Sequence, residues 1–241
     1  MTLSARTGAR PAVAASSPTA LIREVFVGSH SKVWQELSGL PESAKCCWHA
    51  IGHEDVGKFE FAARDRVWVL SYSRTPGENR AMLERLVQVG AREIVYVSSA
   101  STIVSNVTAC YEYPRVKQIA EVDALALPAT KVLTIGTMYR NEASLPAGAN
   151  AATSFAELAA FVAAPEWPDE GGRRKRLFRI VRRPFKSALD RWAFRAYGWL
   201  QARTGSHPCL LRPLDLVLRT CGVRWYGYVY LSNRLWNSTI S

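Results

Sequence analysis

Five short runs, mostly apolar rather than alternating, constrain this chain more than any other feature. They are Glu24–Gly28, Cys46–Ile51, Arg66–Ser73, Glu93–Ser98 and Lys131–Gly136. Segments of helical spacing lie among them. Lys32–Leu37 follows the first run. Met82, Leu83, Leu86, Val87 and Val89 recur from Glu78 up to a stop at Gly90. Tyr113–Leu125 opens near Pro114, and Ser154–Ala163 follows the last run. Strands apolar on both sides are buried on both faces, and strands that alternate with helices make a parallel sheet. The expected fold class is therefore α/β, a parallel sheet with helices on both faces. Only about fifteen residues separate Ile51 from Val67, too few for a further strand and helix, so the sheet is expected to be trimmed by about one βα unit.

Such a sheet binds ligands beyond the carboxyl ends of its strands. The residues that follow the strands are Gly28, Ser71 to Ser73, Ser98 to Ser101 and Thr137 to Tyr139. Tyr113-Pro-Arg-Val-Lys117 places a phenol and an ammonium four residues apart, on one helix face. An adjacent cation stabilises a phenolate and is expected to bring the Tyr113 pKa down from about 10, toward general acid–base work near neutral pH. Ser99, at the end of the preceding strand, is placed to face the same pocket. The bland alternative for Tyr113 and Lys117 is a surface pair without a role. For Ser98 to Ser101 it is a plain strand end, and for Asn79 a residue chosen for helix capping.

The stretch from Asn79 through Gly90 and Val95-Tyr-Val-Ser-Ser99 to Tyr113-Pro-Arg-Val-Lys117 and Val132-Leu-Thr-Ile-Gly-Thr-Met-Tyr139 resembles the extended short-chain dehydrogenase/reductase superfamily, in its nucleotide-sugar epimerase/dehydratase branch. The resemblance covers residues 67–139 well and 24–40 weakly. It implies a Rossmann-like fold and NAD or NADP as cofactor. It also implies a sugar-type substrate, nucleotide- or lipid-linked, in a process such as cell-surface polysaccharide synthesis. By position it implies Tyr113 as proton donor and acceptor, Lys117 as its partner and holder of the nicotinamide ribose, and Ser99 on the reacting hydroxyl or carbonyl, with Ser98 or Ser101 nearby. Gly28, Ser31, Ser71 and Asn79 join Lys117 as implied cofactor contacts.

Two departures stand out. The family's phosphate loop reads G-x-x-G-x-x-G, whereas Gly28-Ser-His-Ser-Lys-Val-Trp34 keeps the first glycine only, with Ser31 and Trp34 at the other two positions. The third glycine allows close helix–strand packing, so a tryptophan there pushes the helix off the sheet unless the packing is rebuilt. His30 or Lys32 could compensate by charge. For the ribose-holding carboxylate after the second strand the candidates are Glu54 and Asp55.

Charge divides the chain. Residues 1–172 carry 16 Lys/Arg against 18 Asp/Glu, whereas residues 173–241 carry 15 against 2. Leu177, Val181, Phe185, Leu189 and Trp192 fall at steps of four or three among arginines, as in a basic amphipathic helix broken near Pro184. Trp225, Tyr226, Tyr228, Tyr230 and Trp236 read as a strand-like aromatic segment. An anionic membrane surface contacted through residues 173–203 and a packed soluble subdomain explain the tail equally well. Nucleic acid ranks behind both, for want of a motif. A homodimer is a further expected partner arrangement.

Five cysteines without C-x-x-C spacing exclude a disulfide framework and suit a reducing compartment. The four histidines show no ligand spacing beyond the His49/His53 pair, so no metal is expected. The longest uncharged run, Ile94–Tyr111, is too rich in serine and threonine to span a bilayer. Residues 1–20 read as a disordered leader, with a transit peptide as the alternative. The expected organisation is thus leader 1–20, sheet domain 21–168 and basic, aromatic-rich region 169–241. The expected location is cytoplasmic, peripheral at the inner face of a membrane. Two functions stay open: an NAD(P)-dependent epimerase/dehydratase or reductase, and a catalytically inactive binding or scaffold protein.

Overall fold

The computed structural model describes residues 22–41, 43, 47–75, 77–106, 110–164, 167, 172–204, 207–220 and 226–237. The expected leader 1–20, and Cys46, Cys221 and Trp225, lie outside the described residues. The first half of the chain runs β1 (Glu24–Val27), α1 (Lys32–Ser38), β2 (Trp48–Ile51), β3 (Arg66–Val69), α2 (Glu78–Gln88), β4 (Glu93–Ser99) and α3 (Glu112–Ala126). Then follow β5 (Thr130–Ile135), β6 (Thr137–Tyr139), β7 (Gly148–Ser154), α4 (Phe155–Ala163), β8 (Arg174–Leu177) and β9 (Arg179–Arg183). The chain continues through α5 (Ala188–Thr204), α6 (Pro208–Thr220) and α7 (Tyr226–Asn237).

Six strands form one parallel sheet in the order β2-β1-β3-β4-β5-β8. Successive residues of its central strands point to opposite faces, and both faces are covered. Val25, Val27, Val67, Val69, Ile94 and Tyr96 pack with Met82, Leu83 and Leu86 of α2 and Ala120 and Ala124 of α3. Phe26, Trp68, Val95, Val97 and Leu133 pack on the other side with Leu37 of α1 and Leu158 and Val162 of α4. Double burial is why these strands read as continuous apolar runs. The fold is α/β and Rossmann-like. It is trimmed as expected: β2 pairs with β1 alone, and the link from β2 to β3 contains no helix.

The basic tail departs from the sequence reading. Residues 174–183 are not helical. β8 joins the main sheet beside β5, and β9 pairs antiparallel with β7 in a small sheet of order β6-β7-β9. The stripe Leu177, Val181, Phe185, Leu189 has a spacing of four, which is also a multiple of two. The same positions therefore share a face in a strand, and periodicity alone does not separate the two states. The helical extension begins at Ala188. The aromatic segment is a helix rather than a strand: Val229, Ser232 and Leu235, at steps of three, are its buried residues.

Charged side chains gather where the strands begin. Arg66, in register with Glu24 and Glu93, reaches Glu24 at 3.4 Å and Glu93 at 3.2 Å, while the Trp68 indole N–H donates to Glu24 at 2.6 Å. Glu24 and Arg66 are both buried. Burial carries the Glu24 carboxyl from an ordinary 4.5 up to about 7, outweighing the Trp68 hydrogen bond and the Arg66 charge. The folded protein thus retains a proton that the unfolded chain releases. The stabilising contribution is complete below pH ~4.5 and disappears as pH rises through ~7. Urea unfolding across that range should show the wild type losing stability with rising pH. The Glu24→Gln protein should give a flatter profile.

Candidate active site

The chain passes from β1 outward to β2 and returns across the sheet to β3, so the order reverses between β1 and β3. That is the place where an open parallel sheet leaves a crevice. A cavity of about 980 Å³ lies there, at the large end of the range for small-molecule sites. Gly28, Ser31, Ser71, Ser99, Tyr113 and Lys117 all line it. Asn79 does not. It is buried in α2, where its side chain donates to the Ser73 carbonyl and accepts from the Ser73 amide, each at 2.8 Å, pinning the loop after β3.

Gly28 ends β1 with φ +113°, and a Cβ built on it would stand 2.7 Å from Ser71 Oγ. Only glycine admits both that backbone conformation and that approach. The Ser71 hydroxyl donates to the Val27 carbonyl at 3.3 Å and is hydrogen-bonded to His53 Nε2. Because β1 lies between β2 and β3, the His53–Ser71 contact crosses the end of the central strand. Ser31 caps α1, its hydroxyl accepting from the Trp34 amide at 3.1 Å. Trp34 does not fill the crevice. Its ring lies 4.8 Å from Phe26, which also meets Trp48 and Trp68, so the helix–sheet contact is rebuilt as an aromatic cluster.

On the other side, α3 carries Pro114 in its first turn, where a missing N–H costs nothing, and Glu112 near its positive end. Tyr113 and Lys117 lie one turn apart. Lys117 is buried, its Nζ donating to the Val97 carbonyl at 2.9 Å and lying 5.1 Å and 4.9 Å from the Tyr72 and Tyr96 ring centroids. Loss of water brings its pKa from 10.5 down to about 7, against the charge of Glu121. Glu121 in turn accepts from the Ser98 hydroxyl.

The expected depression of the Tyr113 pKa is corrected by this arrangement. Tyr113 is 36% exposed at the cavity mouth, yet loss of water around its hydroxyl raises its pKa; the neighbouring Ser99 hydroxyl lowers it and Tyr72 adds to the rise. The Lys117 ammonium is spent on Val97 and two aromatic rings, and among the described residues no hydrogen bond joins it to Tyr113. Tyr72 meets the Tyr113 ring edge-to-face with centroids 5.2 Å apart, so it touches both members of the pair.

Sequence reasoning assigns no role to Tyr72, Glu121 or Leu231, and weighs His53 only as half of a metal-ligand pair with His49. Glu121 was detectable, since 113, 117 and 121 form one stripe at helical spacing. Tyr72 stood among the residues flagged after β3, without a role. His53 lines the cavity and is partly buried, and burial lowers its pKa against the charges of Glu54 and Glu78. Leu231 comes from α7, and nothing local in the sequence tells which distant wall a helix completes.

One end of the crevice carries side chains suited to an anionic ligand. At Gly28 the space of the missing Cβ is taken by Ser71, which draws the ends of β1 and β3 together, and His30, Ser31 and Lys32 stand on the lining beside it. Of the two candidate carboxylates, Glu54 lines the cavity and Asp55 does not.

No family model matches the chain, and no curated protein matches it. Solved structures do. UDP-N-acetylglucosamine 4-epimerase from Bacillus cereus aligns at a TM-score of 0.49 and 11% identity, over 73% of this chain and 84% of that one. A dTDP-4-dehydrorhamnose reductase from Bacillus anthracis, in complex with NADP, aligns at 0.48 and 9%, over 71% and 87%. The Bordetella bronchiseptica enzyme WbmG, in complex with NAD, aligns at 0.48 and 9%, over 70% and 76%. The chain is structurally similar to these enzymes at low sequence identity.

Two measurements follow from this geometry. Lys117 is held below its unfolded pKa, so its contribution to stability is fully present only above pH ~10.5 and is lost as pH falls through about 7. Lys117→Met should remove the rise in unfolding free energy that the wild type shows between these limits. Gly28→Ala should cost about 1–3 kcal/mol in urea unfolding, from the positive φ and the Ser71 contact together.

Proposed function

We propose that the protein is an atypical NAD(P)-dependent oxidoreductase, of reductase or epimerase type, acting on a nucleotide- or lipid-linked sugar. One observation carries this reading: Tyr113, Ser99 and Lys117 meet in the cavity that also contains Gly28 and Ser31. A bound nicotinamide dinucleotide would supply hydride donor or acceptor capacity. The residues that would hold it are Gly28 and Ser31 at the pyrophosphate end, with Lys32 for charge, and Lys117 at the nicotinamide ribose. Glu54 would accept from the adenosine ribose hydroxyls. A carboxylate there repels a 2′-phosphate, which favours NAD over NADP.

Tyr113 handles the proton. A phenol whose pKa is raised stays protonated at neutral pH, and a protonated phenol donates to a carbonyl oxygen. The arrangement therefore suits carbonyl reduction better than alcohol oxidation. Ser99 would offer a second hydrogen bond to the same oxygen and help orient it. Lys117, poised near pH 7, would restore the proton to Tyr113 once a ligand draws its ammonium from Val97. Tyr72, in contact with both side chains, would help position them.

The second reading is a binding module without chemistry. It is favoured by the His53–Ser71 contact across the end of β1 and by the engagement of Lys117 with Val97. Calorimetric titration with NAD(H) and NADP(H) separates the two. The enzyme reading expects binding with NAD preferred, and Glu54→Ala should narrow the preference by about tenfold, the loss of one charge-assisted hydrogen bond. Absence of binding at millimolar cofactor overturns it. In the cofactor-binding protein, Tyr113→Phe should lower turnover of a keto-sugar nucleotide by about 10²–10⁴-fold with cofactor affinity unchanged. Retained turnover removes Tyr113 from the role.

A further inference from the structure

The C-terminal helices expose what the rest of the protein buries. In α5, Leu189, Trp192 and Trp199 are each more than half exposed. At steps of three and seven they form one stripe, opposite the buried Tyr197, Gly198 and Gln201. In α6, Leu210, Leu216 and Val217 are likewise more than half exposed, on the side away from the buried Leu211 and Asp215. Exposed tryptophan and leucine in helical register are not the surface of a helix that faces water alone.

The charge around these stripes is predominantly positive. Lys186, Arg191, Arg195, Arg203, Arg212 and Arg234 surround them, while Asp190 and Asp215 are the only acidic residues after Glu170, the latter buried. The Arg203 guanidinium lies 4.7 Å over the Trp199 ring, carrying charge directly onto the apolar stripe. A second cavity, of about 540 Å³, opens between α5 and α7 and is lined by Arg195, Gly198, Trp199, Tyr230, Asn233 and Arg234. Its floor is fixed. A Cβ on Gly198 would meet the Asn233 side chain, whose amide donates to the Phe194 carbonyl of α5 and the Val229 carbonyl of α7. No acidic side chain lines this cavity among the described residues, and none forms an ion pair with Arg195 or Arg234.

We propose that the outer faces of α5 and α6 dock on an anionic phospholipid surface, with a headgroup phosphate held between Arg195 and Arg234 and the Trp192/Trp199 stripe seated at the acyl boundary. Charge complementarity selects this occupant. A second copy would set one strongly basic region against another. A nucleic acid would satisfy the arginines but leave the aliphatic and indole surface of α6 and α5 uncovered. A bilayer interface takes both at once. No helix among the described residues is long and apolar enough to cross a membrane, so the contact lies on the surface. This docking is independent of the dinucleotide reading.

The test is flotation of the full chain with vesicles of phosphatidylcholine alone and of phosphatidylcholine mixed with phosphatidylglycerol. The protein should float with the mixed vesicles only, and be released by salt. Two double variants at exposed positions, Arg195→Glu with Arg234→Glu and Trp192→Ser with Trp199→Ser, should each lower the partition coefficient by about tenfold or more. Their circular dichroism should stay unchanged. The proposal is overturned by failure to float with the mixed vesicles, or by either double variant, correctly folded, floating like the wild type. It is also overturned if single-stranded RNA strips the protein from vesicles at matched charge, or if a stable dimer without lipid protects Trp192 and Trp199 from quenching.

Discussion

The in-register parallel pairing of β1 with β3, and of β3 with β4, is the constraint on which the rest of the structure depends. It brings the carboxyl ends of β1 and β3 to one level, with β4 running three residues past it, and the chemistry-bearing residues follow from that arrangement. The Val27–Val69 register sets Gly28 opposite Leu70, and Ser71, one residue on, folds back so that its hydroxyl reaches the Val27 carbonyl beside Gly28. Ser98 and Ser99 lie two and three residues past Tyr96, the partner of Val69, and the Ser98 hydroxyl reaches Glu121 of α3. Had any pairing slipped by one residue, every apolar side chain on that strand would have changed face. The apolar core and the cavity are therefore specified together.

Polarity along the sheet is divided by end. Where the strands begin, Arg66 is held between two carboxylates and its geometry is saturated, which is structural work. Where they finish, the cavity is lined by hydroxyls, two imidazoles, Lys32, Glu54 and the desolvated Lys117, none of them in an ion pair among the described residues. Lys117 is the clearest case: a carbonyl and two ring faces steady an ammonium without neutralising it, so burial prevails and its proton is loosely held. A site built that way is costly to stability and open to a ligand.

Much of this was legible in the sequence, for reasons that can be named. Residues such as Val25–Val27 and Ile94–Val97 are apolar on consecutive positions because both faces are covered, and that pattern identifies a parallel sheet without any alignment. The convergence of Ser99, Tyr113 and Lys117 was legible because strand ends and one helical turn fix where they go. The electrostatics were not: spacing places Lys117 near Tyr113 but does not say that Val97, Tyr72 and Tyr96 will take the ammonium first. Trp34 looked like an obstruction because a loop pattern cannot show that Phe26, Trp48 and Trp68 wait beneath it. The tail misled through arithmetic, since a spacing of four belongs to strand and helix alike.

Helix α7 has an uncommon position. Leu231 forms part of the wall of the large crevice, while Tyr230, Asn233 and Arg234, within one turn of it, form part of the second cavity. A displacement of α7 alters the wall of both chambers. Any preference that filling one chamber imposes on α7 is felt in the other with equal strength, because such coupling is reciprocal by thermodynamic necessity.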